Sequence, residues 1–298
     1  MKWLEKHRKD KFFLFFHTFE VHDPYSDPHE IFAEGIADTE KMRKNVALYN
    51  GKIRLVDDYI GLLYAALKRI GLDRKTLFII TSDHGETFYE RGGKDGHGYS
   101  VYDEQLKVPL IMIMPGLIPE NIRVEPQVRL IDIFPTIMDI LGLPAGENIE
   151  GKSLRLFFEG RVEDRIAFSE GTRLWNSINK IDPTSIRTNG YKYIEYPLLR
   201  KGLKDYLDRM NFKSSYGFKE NYQKELIAEL YDIVKNPGEL GQHMLVDRDL
   251  IAKFSKSIKE FKRSNAKKWA EIKGGEDLVG IDLHRDTLKR LKALGYLQ

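Results

Sequence analysis

Between Thr76 and Pro115 the chain reads Thr-Leu-Phe-Ile-Ile-Thr-Ser-Asp83-His84-Gly85-Glu86, then Gly96-His97-Gly98, then Val108-Pro-Leu-Ile-Met-Ile-Met-Pro115. An apolar run rich in branched residues ends in an acid, an imidazole and a glycine. A second imidazole follows between two glycines, and another apolar run comes after it. In open α/β sheets, ligands collect beyond the carboxyl ends of strands. A buried strand that delivers Asp83 and His84 at that end therefore reads as a metal site. Asp83 offers a hard oxygen and His84 a borderline nitrogen, a pair that suits a divalent cation. A plain structural reading of Asp83 is a helix N-cap, with the glycine opening a turn. That role needs neither His84 nor the glycine-flanked His97.

Residues 11–17 and 76–82 read as short buried parallel strands. Between them Val46, Tyr49, Ile53, Val56, Ile60, Leu63, Leu67 and Ile70 recur at spacings of three and four, which predicts one long helix with a continuous apolar face. Gly71 stands where a C-terminal cap belongs. Strand, helix and strand in this order predict a right-handed crossover of a doubly wound sheet. Val108–Met114 is a further buried strand, and Asp132–Leu141 a helix ending at Gly142. The character changes after about residue 150. Ser185–Thr188 and Tyr191–Tyr196 flank Asn189-Gly190, the signal of a type I′ hairpin. Glu229–Ile233 reads as a strand and 249–270 as a basic amphipathic helix. Residues 198–224, polar, aromatic and irregular, read as an insertion loop. The expected fold is α/β, a doubly wound and mostly parallel sheet over 1–155, with a smaller antiparallel α+β subdomain over 156–298.

The composition of the 298 residues, 42% hydrophobic and 31% charged, is that of a globular chain with room for one large domain and a smaller one. A net charge of +3 is nearly balanced, so no nucleic-acid footprint is implied. The absence of cysteine excludes disulfides. No apolar run approaches the roughly 20 residues that span a bilayer. No signal-peptide pattern occurs, which favours a cytoplasmic location.

The chain resembles the sulfatase family of the alkaline-phosphatase-like superfamily. Phe12-Phe-Leu-Phe-Phe-His17 followed by His22-Asp23-Pro24-Tyr25 is similar to the family's strand and His-x-Pro-Tyr loop. Leu130-Ile-Asp132-Ile-Phe134-Pro135-Thr136 resembles its Asp-x-Phe-Pro-Thr helix, and Gly151-Lys-Ser153-Leu154 its Gly-x-Ser-Leu turn. Arg187 to Ile194, Glu229-Leu-Tyr231-Asp232, Asn236-Pro237-Gly238-Glu239 and Leu294-Gly295-Tyr296-Leu297 continue the likeness to the end of the chain. The resemblance implies a metal-dependent ester hydrolase with Asp83 and His84 as metal ligands. It implies His97, with Lys94 as an alternative cation, against the sulfate oxygens. It implies His22 as a substrate contact that protonates the leaving oxygen, work that suits an imidazole titrating near neutrality. Calcium is the ion the family suggests, while the imidazole of His84 admits Mn²⁺ or Zn²⁺. Glu86 and Glu104 read as groups that orient a ligand or a loop. His17 reads as a structural histidine, and Asp132, Phe134 and Pro135 as parts of a capped, packed helix.

The chain departs from the family in one respect. The family places an Asp-Asp pair and a Cys- or Ser-x-Pro-x-Arg nucleophile ahead of these motifs, and neither occurs here. The expectation is a chain equivalent to the C-terminal two-thirds of a sulfatase, inactive alone, with one interior strand missing. Such a chain would self-associate or need a partner to supply the strand. The expected activity is cleavage of sulfate monoesters on a small molecule or glycan. A phosphodiester or phosphonate monoester hydrolase is the alternative from the same superfamily. A non-catalytic binding module is the alternative from another class.

Overall fold

The structure, a computed structural model, describes residues 2–37, 40–88, 95–98, 100–171, 183–196, 228–240 and 244–274. The chain forms two compact units, Met1–Ile251 and Ala252–Gln298. The first opens with α1 (Lys2–Lys6) and the long α2 (Lys41–Arg69). Then come β1 (Phe78–Thr81), β2 (Thr87–Phe88), β3 (Asp95–Gly96), α3 (Asp103–Leu106), β4 (Leu110–Ile113) and α4 (Ile133–Ile140). After α5 (Arg155–Phe158), β5 (Ala167–Glu170), β6 (Thr184–Arg187), β7 (Tyr191–Glu195) and β8 (Ala228–Asp232) complete the strands. Helix α6 (Arg248–Gly274) begins at the end of the first unit and makes up the described part of the second. No described helix is long and apolar enough to cross a membrane.

Helix α2 forms where the periodicity placed it. Of the expected apolar face only Ile53 is exposed, at 44%. Gly71 ends the helix at φ +72°, with the amide of Leu72 donating to the carbonyl of Leu67 and that of Gly71 to Lys68. This is the Schellman closure, which needs a left-handed residue and therefore favours glycine.

The expected strand at 11–17 does not form. Phe13 is 79% exposed, Phe15 and Phe16 are also exposed, and no ladder holds them among the described residues. A strand exists only through its partner, and apolarity without a ladder leaves a bare extended segment. The expected parallel crossover unit is accordingly absent from the described residues. Strand β1 pairs antiparallel with β4, in the register Phe78 to Ile113 and Thr81 to Leu110. His17 is exposed, its ring 4.3 Å from that of Phe19.

The antiparallel sheet of the C-terminal half forms as expected, in the order β5-β6-β7-β8. Its central strands bury both faces, from Thr184 through Ile186 and from Lys192 through Ile194. The hairpin between β6 and β7 differs from the expected type I′ turn. That turn requires positive φ at two successive residues, and neither Asn189 nor Gly190 is among those of positive φ. Instead Thr188 Oγ1 accepts the amides of Gly190 and Tyr191, and Asn189 Oδ1 accepts the amide of Gln127. The loop is shaped by these outside partners rather than by the local preference of Asn-Gly.

Several buried polar groups in this half are paired, as burial demands, while the hydroxyls of Thr184 and Ser185 find no hydrogen-bond partner among the described residues. Glu229 accepts hydroxyl bonds from Tyr102, Tyr196 and Tyr231. Lys192, fully buried, lies 2.8 Å from Asp103 Oδ1 and 3.1 Å from Glu239 Oε1. Arg187 adds a second cation, 2.9 Å from Asp103 Oδ2. Burial pushes the Glu239 carboxyl up, against the pull of Lys192. Helix α3 is thereby locked to the sheet, and α3 directly follows the loop that carries His97.

Asp132 does not cap α4 with its side chain. It is fully buried, and its carboxylate accepts from the side chain of Arg129 and the amide of Lys152 and pairs with Arg165 at 3.0 Å. Thr136 and Leu154 continue the same joint, the Leu154 amide donating to Thr136 Oγ1. Residues 198–224 and Leu294–Leu297 lie outside the described residues.

Candidate active site

Asp83 and His84 emerge where β1 ends, and Gly85 is what lets the chain turn there. A Cβ on Gly85 would stand 2.1 Å from the carbonyl oxygen of Glu104, far inside contact distance. The close approach is used, because the Gly85 amide donates to the carbonyl of Gln105 at 2.8 Å. Gly85→Ala is expected to force these backbones apart and cost about 1–3 kcal/mol, the usual effect of overpacking. A thermal melt reads it, and an unchanged melting temperature would show that the Glu104 carbonyl yields freely.

Two strand-end loops and the loop of His22 bring three imidazoles together. The rings of His84 and His97 stack at 3.9 Å, and that of His22 meets His97 edge-on at 5.3 Å. Each ring has Nδ1 committed to an oxygen. His84 Nδ1–H donates to the carbonyl of Gly85 at 2.8 Å, and His22 Nδ1–H to that of Asp23 at 2.8 Å. His97 Nδ1–H donates to Glu86 at 3.2 Å. Fixing one nitrogen by an oxygen acceptor settles the tautomer and leaves Nε2 for a ligand or substrate.

Glu86 lies deep in the site and is held by more than His97. Tyr25 donates its hydroxyl to Glu86 Oε2 at 2.9 Å, and the Tyr25 ring packs with Tyr49 and Phe88 at 5.6 Å each. Hydrogen bonding to Glu86 is the largest effect on His97. Burial opposes it, but the charges of Glu86 and Asp83 assist, and the imidazole stays protonated above its ordinary range. Burial, with Glu86 second, pushes the Tyr49 phenol up. The His22–Tyr25 loop is seated by Gly51 of α2, where a Cβ would stand 2.5 Å from the Cα of Asp27. Asp27 in turn accepts the amides of Phe32 and Ala33.

Asp83 and His84 carry an oxygen and a nitrogen of the kind that can bind a divalent cation, with Asp83 Oδ2 3.8 Å from His84 Nε2. The His84 Nδ1–H bond to Gly85 is the arrangement expected of a ligating imidazole. Among the described residues no group of three or more His, Cys, Asp or Glu could hold a metal ion. These two residues alone are too few for a complete coordination shell. Lys94 lies outside the described residues. Glu86 is placed as the partner of His97, a sharper role than loop orientation. Gln105 was not singled out by sequence, since its contacts join residues up to about twenty positions apart and no short motif records them.

Solved structures share this arrangement of elements. A phosphonate monoester hydrolase from Silicibacter pomeroyi superposes with a TM-score of 0.55 at 23% identity, over 76% of this chain and 42% of that one. A structure in complex with its substrate D-glucosamine-2-N,6-O-disulfate superposes at 0.53 with 22% identity, over 78% and 42%. The fold is therefore alkaline-phosphatase-like. Residues 1–143 match the sulfatase family, and residues 97–210 the C-terminal region of N-sulphoglucosamine sulphohydrolase. Arylsulfatase K of Canis lupus familiaris is 38% identical over 274 residues, 84% of this chain and 46% of that protein. This chain is similar to the sulfatase family over residues 1–143, and it spans about half the length of the curated relatives it matches.

Proposed function

We propose that this chain carries the anion-binding and leaving-group half of a sulfate monoester hydrolase, acting on a sulfated sugar or glycan. The observation that supports it is the Glu86–His97 pair, which favours the protonated imidazole and sets it against the ring of His84 and beside that of His22. A preorganised cation of this kind stabilises a tetrahedral anion without reorganising when charge develops. The His97 Nε2–H faces the sulfate oxygens in this reading. His22, protonated at Nε2, gives its proton to the oxygen of the departing alcohol as the sulfur–oxygen bond breaks. Asp83 and His84 hold a divalent cation, calcium by family and Mn²⁺ or Zn²⁺ by the chemistry of the imidazole. When bound it supplies charge stabilisation to the ester oxygens.

The attacking atom is not supplied by these residues. The sequence contains neither a cysteine nor a Ser-x-Pro-x-Arg. The same site suits a phosphonate monoester, because an imidazolium does not discriminate strongly between tetrahedral anions. The likeness to the Silicibacter pomeroyi hydrolase keeps that second reading open.

Calorimetric titration of the full chain with glucosamine 6-sulfate in calcium tests the proposal. Saturable binding is expected, weakened roughly tenfold or more by His97→Ala. Asp83→Ala is expected to abolish the heat of calcium binding itself. Equal ester affinity with and without His97 would remove the imidazole from the site. Tighter binding of phenylphosphonate than of the sulfate ester would favour the second reading.

A further inference from the structure

Gln105 is 2% exposed and sits where the two loops of the site meet. Its carbonyl accepts the amide of Gly85 at 2.8 Å, next to His84. Its side-chain Oε1 accepts the amides of Gly98 at 3.0 Å and Ser100 at 3.4 Å. Its Nε2 donates to Thr87 Oγ1 at 2.7 Å and to the carbonyl of Gly96 at 3.4 Å. One amide thus uses both its donors and both its acceptor sites, and brackets His97 from either side. The bracket matters because two glycines leave the backbone beside His97 with wide conformational freedom. Gly96 and Gly98 lie at φ +117° and +84°, a region open to glycine in which the backbone keeps many alternatives.

We infer that Gln105 is the positioning residue of the site: it fixes the backbone of His97 against His84, while Glu86 fixes the ring. Its role in substrate binding rests on the sulfate-ester reading above. Its role in placing His97 does not. An apolar residue at 105 leaves the amides of Gly98 and Ser100 and the carbonyl of Gly96 without this partner. A carboxylate keeps the acceptor for the two amides but turns an oxygen toward the Gly96 carbonyl. Gln105→Met should therefore release the loop more fully than Gln105→Glu.

Proton NMR of the full chain reads the placement directly, because stacked rings at 3.9 Å shift each other's imidazole signals. In Gln105→Met the ring protons of His84 and His97 are expected to move toward unstacked positions, while the core methyls of Ile186 and Ile194 stay in place. Gln105→Glu is expected to restore part of the shift. Unmoved imidazole signals in Gln105→Met would overturn the inference. So would imidazole shifts that move only together with the core methyls in both variants, since that is general unfolding. In the second arm, affinity for glucosamine 6-sulfate is expected to fall on the order of 10–100-fold in Gln105→Met, the usual effect of an outer-shell partner. If the imidazoles move and the affinity does not, Gln105 places His97 without serving the ester site, and the inference fails there. If the wild-type chain does not bind the ester at all, the sulfate-ester reading fails, and the imidazole shifts alone still decide whether Gln105 positions His97.

Discussion

Asp132→Ala is expected to lower the stability of the chain by about 3–5 kcal/mol, because it removes one partner of a buried ionic joint. Arg165 is almost fully buried, and the loss of the carboxylate takes one of its two counter-charges, leaving Glu163 at 3.0 Å, and also takes that of Arg129. The amide of Lys152 loses its acceptor at the same time. Denaturant unfolding measures the change. Should the alanine variant fail to fold, Asp132→Asn keeps the shape and part of the hydrogen bonding and gives a smaller loss. The joint also has a pH signature. Burial raises the Asp132 carboxyl, but bonds from Arg129, the Lys152 amide and Arg165 outweigh it and hold the group below its ordinary range. A carboxylate with a lowered folded value stabilises above its unfolded value, near about 3.9, and that contribution is lost as pH falls through the lower folded value. The wild type should lose stability across this acid window, and Asp132→Asn should lose less. Parallel curves would mean that other carboxylates govern acid unfolding.

The second large effect is on chemistry. The purified chain is expected to release 4-nitrophenol from its sulfate ester no faster than a buffer blank in calcium. In enzymes that use a covalent nucleophile, its removal costs up to about 10⁶ in kcat, and binding and charge stabilisation alone leave little turnover. Turnover on the order of 1 s⁻¹ or more, as in a working enzyme, would show that a residue of this chain attacks sulfur. The Gly85→Ala and His97→Ala proteins would then tell whether the histidine cluster is the place. Loss of rate in both would put the reaction at the strand ends.

The proximity of the marked histidines is what the structure adds to the motifs. Asp83, His84, His97 and His22 were all marked by short patterns, and the structure brings the three imidazoles into one cluster. What no pattern marked is which groups meet beneath them. Tyr25 reaches Glu86 across 61 positions, and Gln105 ties Gly85, Gly96 and Gly98 through one amide. Such contacts depend on how loops from separate elements converge, and a run of residue types does not carry that information.

The same division runs through the fold. Helix α2 and its Gly71 closure depend on residues three to five positions apart, so local periodicity and one glycine were sufficient to place them. Strands β6, β7 and β8 were likewise visible, because alternation and apolar runs are local signals. Pairing is not local. The apolar run at 11–17 has no ladder among the described residues and stays bare, while β1 takes β4 as an antiparallel partner. The Asn189-Gly190 turn was decided by Thr188 Oγ1, Gln127 and Asp164, which outweigh the intrinsic preference of the dipeptide. The sequence alone determined which residues could bear a metal, a proton or an anion. Only the tertiary structure decided which of them meet, because hydrogen bonds and ladders join groups that the chain itself keeps far apart.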